Sequence, residues 1–193
     1  MGWSVVLLLL LVVTLYAIAL YNSCVKSKNQ ASENWSNIEV SLKKRHDELP
    51  KLISSCKQYM QHESTTLEKV IAARSRVHEA VEAKDTLQLG MAETLLRQSL
   101  GQLFALSEKY PSLKADANFS ELQNIITELE NEISDRRDVY NDSVNSYNTR
   151  IEQFPANLIA QTLGFTVLKL VTFEATEIAD VNVSTAFSST DHS

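Results

Sequence analysis

The chain has 193 residues, with 18 Lys and Arg against 24 Asp and Glu, 4 Gly, 3 Pro and 2 Cys. So few turn-forming residues argue against a many-stranded sheet and for a handful of long helices. A net charge of −6 offers no broad basic surface for nucleic-acid phosphates, and two cysteines make neither a disulfide framework nor a four-ligand zinc site.

Residues 5–21 read VVLLLLLVVTLYAIALY, without a charge. Extended back to Trp3, this stretch spans about 28 Å as a helix, close to the ~30 Å hydrocarbon core of a bilayer. Trp3, Tyr16 and Tyr21 lie near its ends, where aromatic rings prefer the headgroup level. Residues 1–21 therefore read as an uncleaved transmembrane anchor. A cleaved signal peptide is the rival reading, since Ala17-Ile18-Ala19 supplies a small-residue pattern, but no Lys or Arg precedes this long run. A lipoprotein reading at Cys24 is weaker, because Tyr21 stands where an aliphatic residue belongs. Lys26 and Lys28 follow the span, which predicts an N-terminus outside and a body in the cytoplasm.

Neither Gly nor Pro occurs between Gly2 and Pro50, so the anchor is expected to run on as a helical rod. Trp35, Ile38, Leu42, Leu49, Ile53, Cys56 and Met60 form an apolar stripe, with Arg45 or His46 filling its one gap. Pro50 is expected to kink this helix. A second pattern opens at Thr65 and Glu68, which have capping-box spacing. Leu67, Val70, Arg74, Val77 and Val81 continue it. The polar stretch 82–90 predicts a kink or short break, after which Leu95 or Leu96, Leu103, Leu106 and Tyr110 resume the stripe until Pro111.

The third pattern is the clearest. Asn118 and Glu121 are placed to cap it, and Phe119, Leu122, Ile126, Leu129, Ile133, Tyr140, Val144, Tyr147 and Ile151 alternate three- and four-residue steps. Phe154-Pro155 stops it, and an amphipathic piece over residues 157–165 is expected to fold back on the bundle. No Lys or Arg follows Lys169, and residues 174–193 read as a disordered, acidic, Ser/Thr-rich tail. The predicted fold is all-α: a transmembrane helix (1–21), then an antiparallel bundle (22–173) of three long helices plus a short fourth, of four-helix type.

Catalytic constellations are missing from the sequence. His62-Glu63 and His78-Glu79 each begin a zincin-like pair, but Thr66 and Glu82 stand where the second histidine belongs. No Glu-x-x-His matches a di-iron bundle, and neither a phosphate loop nor a nucleophile elbow is present. Cys24 and Cys56 lie 32 residues apart on one predicted helix, or roughly 48 Å, too far to bridge. No enzyme, metal or cofactor is expected.

Two groups of residues stand out instead. Lys43, Lys44 and Arg45 form a basic cluster about 33 Å of helix beyond the span, too far for headgroups unless the rod tilts. They are the candidate partner contact. Tyr140-Asn141 and Tyr147-Asn148 repeat seven residues apart and, with Arg136, are candidate polar residues of the helix seam. Arg136 or Arg137 is expected to enter the seam and pair with an acid on another helix.

The segments YNSCV (21–25), ENWSNIEVSLKKRHDELPKLI (33–53), YMQHESTTLEKVIAAR (59–74), ALSEKYPSLKADANFSELQ (105–123) and ITELENEISDRRDVYNDSVNSYNTRIEQFPANLIA (126–160), with Phe173-Glu174, together resemble the LemA family. The likeness covers residues 21–174, departing at Ser23-Cys24, where the family often carries an apolar pair, and in the tail. The resemblance implies a bacterial single-pass membrane protein with an antiparallel, four-helix-type bundle. It also implies association with membrane proteases or other envelope proteins, one branch serving magnetosome membranes. The family has no established catalytic residues to carry over.

Two functions follow as expectations. The first is a non-enzymatic scaffold or adaptor in the bacterial inner membrane, its partners the lipid bilayer and another membrane or envelope protein. The alternative is a membrane organiser that self-assembles into homo-oligomers and shapes the bilayer.

Overall fold

The computed structural model describes residues 2–172, and all of its regular structure is helical. The tail at 174–193 and the pair Phe173-Glu174 lie outside the described residues. The helices are α1 (Gly2–Tyr59), α2 (Ser64–Glu82), α3 (Thr86–Ser107), α4 (Pro111–Lys114), α5 (Ala117–Glu152) and α6 (Ala156–Thr162).

α1 runs unbroken for 58 residues, through Pro50, a length of about 87 Å at the usual helical rise. Its first part carries the apolar stretch, which is long and apolar enough to cross a membrane and whose side chains stay largely exposed among the described residues. From Ala31 onward one face turns inward. Trp35, Ile38, Leu42, Leu49, Ile53, Cys56 and Met60 are all buried, and Arg45 occupies the gap in that stripe.

α5 returns antiparallel along α1. Tyr59 meets Asp116 at one end, Ser41 meets Glu132 midway, and Arg150 bonds Ser23 near the far end. Trp35 and Tyr140 pack edge to face between the two helices, with ring centroids 5.4 Å apart. The three- and four-residue steps of α5 are fully used: Phe119, Ile126, Leu129, Ile133, Tyr140, Val144, Tyr147 and Ile151 are buried.

The second helical pattern is two helices. Residues 83–85 reverse the chain, so α2 and α3 form an antiparallel hairpin that packs on α1 through α2 and is tied to it from α3 by the Arg45–Glu93 pair. Lys84 takes a left-handed φ of 51° at the turn, and the Asp85 carboxylate accepts from the amides of Leu87 and Gln88 to start α3. An Asx cap after a left-handed residue satisfies the orphan donors of a new helix, so the kink or short break predicted here is a short break at which the chain also reverses.

Two other expected caps move as well. Thr65 is already inside the first turn of α2, and the flanking Glu63 makes no cap bond, its carboxylate instead accepting from the Tyr110 hydroxyl at 3.2 Å. Asp116, two residues before the predicted Asn118, accepts from the amides of Asn118 and Phe119 and caps α5. Pro111 opens α4, the position at which a proline loses no helical bond.

α6 folds back against α1 and α5, burying Ala156 and Ala160 with Cys24, Tyr147 and Ile151 in a small second core. Residues 163–172 then run without regular structure along α5, and Val171 enters the main core.

Candidate functional site

α1 and α2 leave an open groove of about 430 Å³ between them. Leu42, Val77 and Val81 form its apolar floor, and its walls carry Lys43, His46 and His78 together with the acids Glu39, Asp47 and Glu82. His46 and His78 stand one step off the buried stripes of their helices, which leaves His46 half-buried and His78 exposed at the groove. Their rings lie 4.8 Å apart.

Arg74 organises this cluster. Its Nε donates to the His46 carbonyl at 3.0 Å, and its Nη2 lies 2.6 Å from His46 Nε2. A guanidinium can only donate, so Nε2 accepts and the proton sits on Nδ1. Burial, then the charges of Arg74 and His78, hold the His46 pKa below its ordinary value, against a smaller opposing pull from Asp47. A neutral imidazole whose free lone pair is already taken makes a poor metal ligand and a poor base. Among the described residues, no three His, Cys, Asp or Glu side chains converge on a metal-sized site.

The basic cluster divides three ways. Successive helical residues are about 100° apart, so Lys43, Lys44 and Arg45 cannot share a face. Lys43 is exposed on the α1–α2 groove. Lys44 is exposed on the α5 side, where its charge reaches Glu132. Arg45 is 2% exposed and paired with Glu93 of α3, itself 4% exposed. Arg45 is therefore removed from the candidate partner contact. It completes the apolar stripe between Leu42 and Leu49, and Glu93 takes the matching place before Leu96. Glu93 is the polar residue that sequence reading missed, although an acid at helical steps from Leu89 and Leu96 was its visible sign.

Arg136 also differs from expectation. It stays partly exposed at the rim of the α1–α5 seam, bonded to Glu132 on its own helix and donating to the Asn37 carbonyl of α1 at 3.2 Å. Burial raises the Glu132 pKa, but bonds from Arg136 and Ser41 and the charges of Arg136 and Lys44 outweigh it and hold the carboxyl below its usual range. The buried arginine paired across helices is Arg45.

Tyr140, Asn141, Tyr147 and Asn148 act together. Tyr140 and Tyr147 donate to the carbonyls of Lys169 and Thr166, each at 3.0 Å. Asn141 and Asn148 bond both backbone groups of Val171 and Leu168. The repeat thus clamps the non-helical segment 163–172 onto α5, while the rings of Tyr140 and Tyr147 also lie in the α1–α5 seam, against Trp35 and Cys24. Cys56 is fully buried, which pushes its thiol pKa up to about 12 and leaves it an inert core residue.

Comparison with curated proteins finds no match. The sequence model of the LemA family matches residues 34–187. That span takes in the inward face of α1 from Asn34, the hairpin, the Arg45–Glu93 pair and the Tyr-Asn clamp, so the match covers most of the packed body just described. The chain belongs to the LemA family.

Proposed function

We propose that this protein is a non-enzymatic scaffold, anchored in the bacterial inner membrane, that holds a partner-binding groove at a fixed height above the bilayer. The observation that carries this reading is the continuity of α1. One unbroken helix contains both the uncovered apolar stretch and the inward face that nucleates the bundle. A rigid joint of this kind turns membrane insertion into position: Lys43 stands about 33 Å of helix beyond Tyr21.

Confinement to a membrane raises the effective concentration of the groove for neighbouring membrane proteins, so modest contacts suffice for capture. Lys26 and Lys28 at the end of the span favour a cytoplasmic body. The partner is another membrane or envelope protein, such as a membrane protease. It would present an apolar segment to the Leu42, Val77 and Val81 floor, with an acid for Lys43 and basic or polar groups for Glu39, Asp47 and Glu82 on the walls.

The test is charge reversal at Lys43 in the groove, with Lys44→Glu on the α5 side as the control. Lys43→Glu should abolish co-purification of the partner from native membranes, Lys44→Glu should not, and both should keep helicity and thermal stability close to wild type. Full retention of the partner in Lys43→Glu would rule out the groove as the contact.

A further inference from the structure

Residues 153–168 contain no charged side chain, and this run is folded directly against the apolar stretch of α1. Across an open apolar trough of about 570 Å³, Ile18 and Tyr21 of α1 face Leu158, Ile159 and Leu163, with Thr14 at its deep end. Tyr21 and Phe165 meet edge to face at 5.9 Å, and Leu20 packs on the small core under α6. These contacts place α6 alongside the last turns of the span, because Thr14 lies about 10 Å of helical rise before Tyr21.

The outer side of this layer is apolar and exposed among the described residues. Phe154, Leu158 and Leu163 are 79%, 58% and 55% exposed. The trough shares its wall with the surface that α1 presents to lipid, so the two apolar surfaces are continuous. Charge sits only at the margin, where the Lys28 ammonium lies 5.9 Å from the Phe165 ring centroid, at the level expected for lipid phosphates above buried acyl chains.

We propose that α6 and its flanks Phe154, Leu158 and Leu163 form a second lipid contact, a shelf that lies in the headgroup–acyl boundary of the membrane crossed by α1. This rests on the membrane-anchored reading above. A single span leaves a rod free to spin about its axis and to tilt. A shelf to one side removes both freedoms, so the α1–α2 groove faces a fixed direction relative to the membrane plane. The occupant is lipid acyl chain, since an anchored α1 already places Thr14, Ile18 and Tyr21 of the trough wall in lipid.

The test uses the full chain in vesicles of phosphatidylethanolamine and phosphatidylglycerol, carrying one nitroxide at a time. Leu10→Cys reports the span, Leu158→Cys the shelf and Gln102→Cys the exposed face of the bundle. Cys24 and Cys56 are fully buried and stay unlabelled, which the unsubstituted chain verifies. Collision rates with lipid-soluble oxygen and with a water-soluble nickel chelate are compared. The shelf predicts that positions 10 and 158 both favour oxygen several-fold over position 102. Oxygen preference at 10 with nickel access at 158 would overturn the shelf and leave the anchor standing. Nickel access at both would overturn the anchored reading itself. Low collision with both reagents at 158 would show a protein cover and overturn the lipid assignment.

Discussion

Asn148 holds Leu168 by both of its backbone groups, donating to its carbonyl at 2.9 Å and accepting from its amide at 2.9 Å. Asn141 grips Val171 in the same way, at 2.9 and 3.0 Å. Seven helical residues rise about 10.5 Å and three extended residues cover about 10 Å, so the Tyr-Asn repeat of α5 is in step with the segment it clamps. A chain without regular structure must find outside partners for its amides and carbonyls, and here the two asparagines and two tyrosines supply them.

Removing one clamp should therefore act locally. Asn148→Ala leaves a partly buried amide and carbonyl without partners, and should cost about 2 kcal/mol. Hydrogen exchange would show the Leu168 amide released while the amides of α5 around Val144 remain protected. Unchanged protection at Leu168 would contradict the clamp.

The Arg45–Glu93 pair makes an asymmetric prediction. Arg45→Met alone strands a carboxylate in the core and should lower stability by about 3–5 kcal/mol, whereas Arg45→Met with Glu93→Leu should recover most of the loss. Denaturant unfolding of the full chain in detergent checks both variants. A double variant as unstable as the single one would mean that the pair contributes net stability through its own attraction.

Acid should weaken the fold through His46. Its pKa is lowered in the folded state by burial and by Arg74 and His78, so as pH falls the unfolded chain takes up this proton first. Stability then declines from about pH 6.5 downward until the folded imidazole also protonates, and no contribution remains above that range. Thermal unfolding between pH 7.5 and 5 should show this slope in the wild type and a shallower one in His46→Gln. Asp116 and Glu132, whose pKa values are lowered in the folded state, add a separate loss at more acidic pH.

Burial patterns were the legible part of this sequence. The steps from Phe119 to Ile151 mark a single face, and Ile126, Leu129, Ile133 and Val144 occupy it as read. Features that depend on a distant partner were not legible. The Tyr-Asn repeat is visible in α5, but nothing periodic in residues 163–172 announces the segment it holds. Lys43, Lys44 and Arg45 look like one patch in a string of letters, yet helical rotation sends them to a groove, a flank and the core. The hairpin between α2 and α3 was hidden because its left-handed position is Lys84, where a glycine would have marked the reversal. Caps shift for a smaller reason: moving a helix boundary by a residue or two changes which side chain can reach its free amides.

A scaffold of the proposed kind positions other membrane machinery and does not assemble alone. The mass and composition of the full-length protein, purified in mild detergent from its native membrane, distinguish the two cases. A scaffold gives a defined complex with a second membrane protein, at fixed stoichiometry. A large homo-oligomer with nothing else bound would contradict it and establish the chain as a self-assembling membrane organiser.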